Sequence, residues 1–444
     1  MADNRSNMNN SRWLPIFAAM FLLMVVTVAT PFGTTASVLL PDSQMQLIKL
    51  LSRATAAAVL LGVSVYVSYR KNAVPYLIRF FPLIVFGTWA ILSCTWSGLP
   101  KESFNQGGSF GILILLSFVV AYVWDSDEDT EYVLKVLSGM LMFVSCALLA
   151  MYFLFPQFGA LTRSSNGLFH STAASASASL GFLIVLLSKL IWNWKWTQKM
   201  VWANSLLQIG VVLISANRFS LAVTTLIAGL AIATLARKDQ IAVAALSIGL
   251  IGTAYLLADP KLTLVESGLS EVGVIVSQGQ TSSEIKTLSG RTEMWEAIWR
   301  SFKEAPWKGH GYFVTSKNGE IYVWDIWGNW TAHNAWLQVL VTTGIIGTGI
   351  FCCHLLMLAG SMIHLANQKT AEPRRILCFF LFMGGWYSIW GLLNSSIFGP
   401  TSPETVVFFV LTGLFVASSS SAAARSAPTN NAAIDFSQDS GQPS

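Results

Sequence analysis

Four residues stand where an otherwise apolar chain has no need of them. The stretch TAHNAWLQVLVTTGIIG (Thr331–Gly347) opens on His333 and Asn334 before a long apolar run. ISANRFSLAV sets Arg218 between two apolar runs, and SGRTEMWEAIWRSFKEAP sets Arg291 at the start of an amphipathic pattern. Histidine titrates near neutral pH and can act as a general base. An arginine at the edge of hydrocarbon costs several kcal/mol unless paired or hydrated, so it points to an anion. Arg291 follows Ser289 and Gly290 at a helix start, where unpaired N–H groups already favour negative charge. A cation there makes sense if an anionic ligand bridges it to the helix end.

Each residue also has a plainer reading. Arg218 could snorkel from a tight hairpin, Arg291 could pair with Glu293, and His333 could cap a helix or sit at an interface. His310, between the turn glycines of WKGHGYF, is a weaker candidate base. Trp324, Trp327, Trp330 and Trp336 read either as an interfacial belt or as platforms for sugar rings.

The elements that must position these residues are membrane helices. The chain has 444 residues, 53% hydrophobic and 11% charged, with 27 Phe and 17 Trp. A soluble domain carries about 25% charged residues, and mean hydropathy here is +0.56. The net charge of +5 suits orientation in a membrane better than nucleic-acid binding. The five cysteines (94, 146, 352, 353 and 378) lie in apolar runs with no metal-ligand spacing, so no metal site is expected. The run from Trp13 to Thr30 is too long for a signal-peptide core and reads as a first span.

The fold expected is an all-α polytopic membrane protein of about twelve transmembrane helices, with a large extracytoplasmic loop containing an amphipathic helix. The spans fall near 13–30, 50–68, 79–96, 108–124, 132–155, 172–192, 200–216, 219–236, 240–258, 335–360, 375–393 and 404–420. Domain boundaries follow. Residues 1–12 form a cytoplasmic tail, 13–258 helices one to nine, 259–332 the loop domain, 333–420 helices ten to twelve, and 421–444 a disordered cytoplasmic tail. Lys and Arg concentrate in the even-numbered connections, which places both termini inside and the long loop outside. The acidic connection DSDEDTE (Asp125–Glu131) runs against this bias, although acidic residues count little in the rule.

In the loop, Met294, Trp295, Ile298, Trp299 and Phe302 form one apolar stripe, with Pro306 after the helix end. His333, Leu337, Leu340, Gly344 and Gly347 fall on one face of the following helix, where the glycines would admit a neighbouring helix. Arg218, Arg291 and His333 then all lie on the outer side. Two anion ligands and a base in that compartment suggest group transfer from a lipid-diphosphate donor.

SGRTEMW, PWKGHGY and HNAWLQVLVTTGIIG resemble the O-antigen ligase and polysaccharide polymerase superfamily. Its ligase signature is His, then Asn, Ser or Gln, then nine residues, Gly, two residues and a small residue. It fits His333, Asn334, Gly344 and Gly347. SANRFSL resembles the family's arginine motif. NGLFHSTAASASASLGFL resembles a further segment but carries Ser171–Ala174 where an Asn is usual.

The resemblance implies that Arg218 and Arg291 hold the pyrophosphate of an undecaprenyl-diphosphate-linked glycan and that His333 activates the acceptor hydroxyl. Asn334, His310, Trp330 and Trp336 are then the candidate acceptor or glycan contacts. The implied reaction is a metal-independent, cofactor-free, inverting displacement at the periplasmic face of the bacterial inner membrane. Polymerisation of exopolysaccharide or O-antigen repeats is the leading expectation. Ligation to a lipid A core or another acceptor is the runner-up, and a transporter or flippase is the reading from another class. A flippase and a chain-length regulator are the implied partners, alongside the acceptor glycan and the membrane, with no nucleic acid.

Overall fold

The computed structural model describes residues 11–29, 42–69, 71–154, 171–192, 198–215, 217–236, 291–312, 332–368, 371–399 and 401–426. Among these residues there are twelve α-helices and no strand. They are α1 (Leu14–Ala29), α2 (Asp42–Ser68), α3 (Val74–Leu92), α4 (Pro100–Val123), α5 (Asp127–Leu154) and α6 (Ser171–Trp192). The rest are α7 (Gln198–Ile214), α8 (Arg218–Leu235), α9 (Arg291–Glu304), α10 (Ala335–Ala366), α11 (Ala371–Leu393) and α12 (Pro403–Ser426).

Eight of these helices (α2–α6 and α10–α12) are long and apolar enough to cross a membrane, while α1, α7 and α8 are shorter apolar helices. The protein is a multi-pass membrane protein. Eleven of the expected spans coincide with described helices; the ninth, 240–258, lies outside the described residues, as does most of the loop domain.

Several helices start earlier than the apolar runs do. Pro100 opens α4 as a first-turn proline, where its missing N–H costs nothing. Asp127, Glu128 and Asp129 fill the first turn of α5, where the helix dipole favours acids. The reading of residues 421–444 as disordered is corrected in part, because α12 continues to Ser426. Alanine is the best helix former, and the Ser419 and Ser420 hydroxyls donate back to the Val416 carbonyl. Residues 427–444 lie outside the described set.

One end of the bundle explains the acidic connection. Arg12 pairs with Asp125 and, at 2.7 Å, with Asp129; Lys71 also pairs with Asp125. Asp129 further accepts from the Trp13 indole (2.9 Å) and from the backbone N–H groups of Asp125 and Ser126. Lys71 donates to the Trp124 and Tyr122 carbonyls at the end of α4, a favourable site for a cation. Burial pulls the Lys71 ammonium down to about 8, with Arg12 acting the same way and Asp129 against both. The acids are thus neutralised by basic residues at the same end.

α10 is broken. Gly344 has φ 67 and ψ −172, a region essentially confined to glycine. In a continuous helix the Ile345 N–H would bond Val341 O and the Ile346 N–H would bond Thr342 O. Here both rungs are open, and the chain following α9 is inserted between them. His310 N donates to Val341 O (3.0 Å) and Gly311 N to Thr342 O (3.0 Å). Ile345 N donates to Pro306 O (2.8 Å), Ile346 N to Trp307 O (3.1 Å), and the Trp89 indole of α3 to Thr343 O (3.0 Å).

This corrects the reading of Gly344 as a seam glycine. What approaches it closely is the backbone at Trp307–Gly309. Gly347 does face a helix, since a Cβ there would meet Trp89 of α3.

Below the insertion lies an aromatic hub. Phe86 contacts Phe110, Phe351 and Phe398 at ring separations of 5.4, 5.4 and 5.9 Å, and Tyr312 contacts Phe110 at 5.7 Å. A second, smaller apolar cluster joins α9 to the first part of α10. It comprises buried Met294, Ile298, Phe302, Ala332 and Val341, with Leu99, Trp295, Leu337 and Leu340 against them. The expected stripe on α9 is therefore real but narrower, because Trp299 is exposed.

Candidate functional site

Arg218 and Arg291 are each the first residue of a helix, and His333 immediately precedes the N-cap of a third. Asn217 caps α8: its side chain accepts from Ser220 N at 2.9 Å and donates to the Thr172 hydroxyl at 3.3 Å. The two-residue break Asn217–Arg218 is thus a capped helix start. Ser289 and Gly290, which precede Arg291, lie outside the described residues. Arg291 is half-buried at the first turn of α9.

The three helix starts share neighbours at one end of the bundle. Phe219, next to Arg218, stacks on Trp390 at 5.7 Å. Asn334 donates to the Leu392 carbonyl at 3.1 Å, and Gly391 leaves room for Ala335, whose Cβ lies 3.2 Å from where a Cβ at 391 would stand. The last turn of α11 therefore touches both the Arg218 and the His333 helix starts. On the other side, the Trp295 indole donates to Ala332 O at 3.0 Å, one residue before His333. α9 and the first part of α10 run in the same direction: Trp295 meets Ala332 near their N-terminal ends, and Phe302 and Val341 share a cluster further along. Their N-termini, and the partial positive charges there, are directed to the same end.

His333 has φ 45 and is the one non-glycine residue with positive φ among the described residues. It is half-buried. Left-handed backbone is uncommon outside glycine, though His is enriched there. Such conformations cluster where structure over-determines them, often at functional sites.

Asn334, expected as a glycan contact, has a structural occupation. Its Oδ1 caps α10 by accepting from Trp336 N and Leu337 N, both at 3.0 Å, while its Nδ2 holds Leu392 O. His310 is tied through Nε2 to the Ser301 carbonyl at 2.7 Å. A carbonyl only accepts, so Nε2 carries a proton and a base function would fall to Nδ1. Trp336 is exposed on the first turn of α10. Trp324, Trp327 and Trp330 lie outside the described residues.

Tyr312 ends the inserted segment. Its N–H donates to the Ser93 hydroxyl at 2.8 Å, and full burial pushes its phenol pKa up, so the ring stays neutral. Among the described residues no three His, Cys, Asp or Glu side chains gather in a metal-binding arrangement.

Sequence reasoning missed the last turn of α11. Trp390 is fully buried, stacked between Phe219 and Trp386, and its indole N–H has no partner. Nothing in the apolar run around it separates it from any other buried tryptophan. Glu404, in the first turn of α12, was also missed. It is a buried acid whose carbonyl accepts from the Tyr387 hydroxyl at 2.7 Å. A lone acid at the head of an otherwise apolar span was the available signal.

No curated protein matches the chain. A family model described as O-antigen ligase matches residues 164–352, a region that contains Arg218, Arg291, His310 and His333 and ends within α10. That match makes the region from 164 to 352, rather than the whole chain, similar to the O-antigen ligase family.

Proposed function

We propose that the protein is a membrane glycosyltransferase that moves glycan from an undecaprenyl-diphosphate-linked donor to an acceptor sugar hydroxyl outside the cytoplasmic membrane. One observation carries the reading. The helix starts at Arg218 and His333 both touch the last turn of α11, and Trp295 of the helix that begins at Arg291 bonds the residue before His333. Helix N-termini and guanidinium groups together suit a diphosphate. His333 takes the proton of the incoming hydroxyl, whose oxygen attacks the anomeric carbon. The bond to the diphosphate oxygen breaks, and undecaprenyl diphosphate leaves with Arg218 and Arg291 offsetting its charge. A single displacement inverts the anomeric centre. The chemistry assigns no role to a metal.

The preferred acceptor is a growing glycan, which makes the protein a polymerase of exopolysaccharide or O-antigen repeats. The description of the matched family favours a second reading, ligation to a lipid A core. Purified protein supplied with lipid-linked repeat units separates the two. A ladder of lengthening lipid-linked products supports polymerisation. Product formed only when a lipid A core is added supports ligation, and no transfer to either acceptor overturns both. The outer orientation has its own test: in cysteine-free protein, Ser282→Cys should react with an impermeant thiol reagent in intact spheroplasts. Labelling only after lysis would reverse the topology.

A further inference from the structure

We propose that the segment Pro306–Tyr312 is a positioning clip that fixes His333 relative to Arg291; this rests on the reading of those two residues as base and diphosphate ligand. The clip replaces two rungs of α10 with four backbone bonds to a segment that is not part of the helix. Val341 O and Thr342 O receive His310 N and Gly311 N, and Ile345 N and Ile346 N are received by Pro306 O and Trp307 O.

Clip and break require each other. Without the clip, two N–H groups and two carbonyls would be stranded inside a membrane protein, where each costs several kcal/mol. Without the break, the clip would have nothing to bond. Glycine is required on both sides: a Cβ at Gly309 would lie 2.6 Å from both Thr342 O and Gly344 N, and a Cβ at Gly344 would lie 2.6 Å from Gly309 N. The clip is also anchored from below. Tyr312 N bonds Ser93, and Gly311 leaves no room for a Cβ against the side chain of Ser97, to which the Ser103 hydroxyl donates at 2.7 Å.

The consequence lies in how the chain is strung. α9 ends at Glu304 and the clip begins almost at once, with Gly309 N bonded to Ala305 O at 3.0 Å. α9 and Ala335–Thr343 are therefore parallel helices tied at both ends: by Trp295 to Ala332 near their N-terminal ends and by the clip at their C-terminal ends. The His310 ring, bonded to Ser301 O, ties the clip to α9 as well.

The helix lengths fit a division of labour. Ile345–Ala366 alone is about 33 Å long at 1.5 Å per residue, enough to cross a hydrocarbon core of about 30 Å. Ala335–Thr343 is then free to belong with α9. Arg291 and His333 stand at the N-terminal ends of this pair, so their separation is set by how the pair is closed. Gly309, Gly311 and Gly344 are positioning residues, acting through α9 and α10 without touching substrate.

The test uses full-length protein in lipid nanodiscs, with Gly309→Ala to loosen the clip and Trp89→Phe to remove only the indole donor to Thr343 O. Three quantities are read: turnover with lipid-linked glycan, binding of undecaprenyl diphosphate, and the distance distribution between spin labels at positions 296 and 336. The expected result is a broadened distribution and turnover reduced by up to about 10²-fold, as a misplacement on the order of 1 Å can cause, with binding retained. Trp89→Phe should show the same pattern more weakly, and it decides the matter if Gly309→Ala does not fold. Normal turnover with a broadened distribution overturns the positioning role. So does an unchanged distribution, whatever happens to turnover. If the unaltered protein transfers no glycan, the donor reading fails, and the distance distributions still decide whether the clip sets the geometry.

Discussion

The Trp295 indole donates to the Ala332 carbonyl at 3.0 Å, which ties the helix that begins at Arg291 to the residue before His333. Trp295→Phe keeps the ring's bulk and removes the donor. The stability cost should be about 1 kcal/mol, the net worth of an ordinary hydrogen bond. Turnover should fall more than that cost alone suggests, because the bond orients His333, the proposed base. Thermal unfolding and transfer rate on the same preparation check this. A loss of stability with unchanged turnover would make the bond purely structural.

Asn334→Ala separates a cap from a substrate contact. It loses the N-cap of α10, worth about 0.5–2 kcal/mol, together with the bond to Leu392 O. Asn334→Asp retains an acceptor for Trp336 N and Leu337 N but cannot donate to Leu392 O. The alanine variant should be the less stable, with the aspartate between it and the parent. Unfolding temperatures in detergent report the order. Equal stability of all three, with acceptor affinity alone reduced, would return Asn334 to the role of glycan contact.

Gly344→Ala places a Cβ on a backbone near φ 67 and ψ −172, which costs about 1–3 kcal/mol for a non-glycine residue. The new Cβ would also meet the Trp307 carbonyl. Gly349, five residues on, has open space around its would-be Cβ, and Gly349→Ala should stabilise the helix by about 0.5–1 kcal/mol. Size-exclusion profiles before and after heating should show loss of folded protein for the first and none for the second.

At the other end of the bundle, Asp129→Asn removes a charge that accepts from Arg12 at 2.7 and 2.8 Å and from Trp13. Hydrogen bonds to charged groups contribute about 1.5–3 kcal/mol, and a loss in that range is expected. A double-mutant cycle with Arg12→Ala should show strong coupling. Additive effects would mean that the pair does not hold α1 to α5.

The chain announces its helices clearly because membrane spans are written in local composition. Arg218 at a helix start was legible from two polar residues between apolar runs. The amphipathic α9 was legible from its periodicity. What escaped was non-local. Asp129 meets Arg12 across 117 positions, so an acidic loop that contradicted the charge bias has its explanation at the other end of a different helix. The break at Gly344 was invisible for the same reason. Its partners lie more than thirty residues earlier, and its apolar surroundings continue the helical pattern without interruption. Asn334 shows a different limit. Its type suits both a cap and a sugar contact, and only the bonds it makes distinguish the two.

The most direct test of the central claim compares His333→Ala with Arg291→Ala in purified, folded protein. His333→Ala removes the proposed base and leaves the proposed cationic site, so undecaprenyl diphosphate should still bind while transfer falls by about 10²–10⁴-fold. Arg291→Ala leaves the base and removes a charge-assisted contact, so binding itself should weaken. Arg291→Lys should recover only part of it, because the planar fork is lost. Near-normal transfer by His333→Ala would contradict the account.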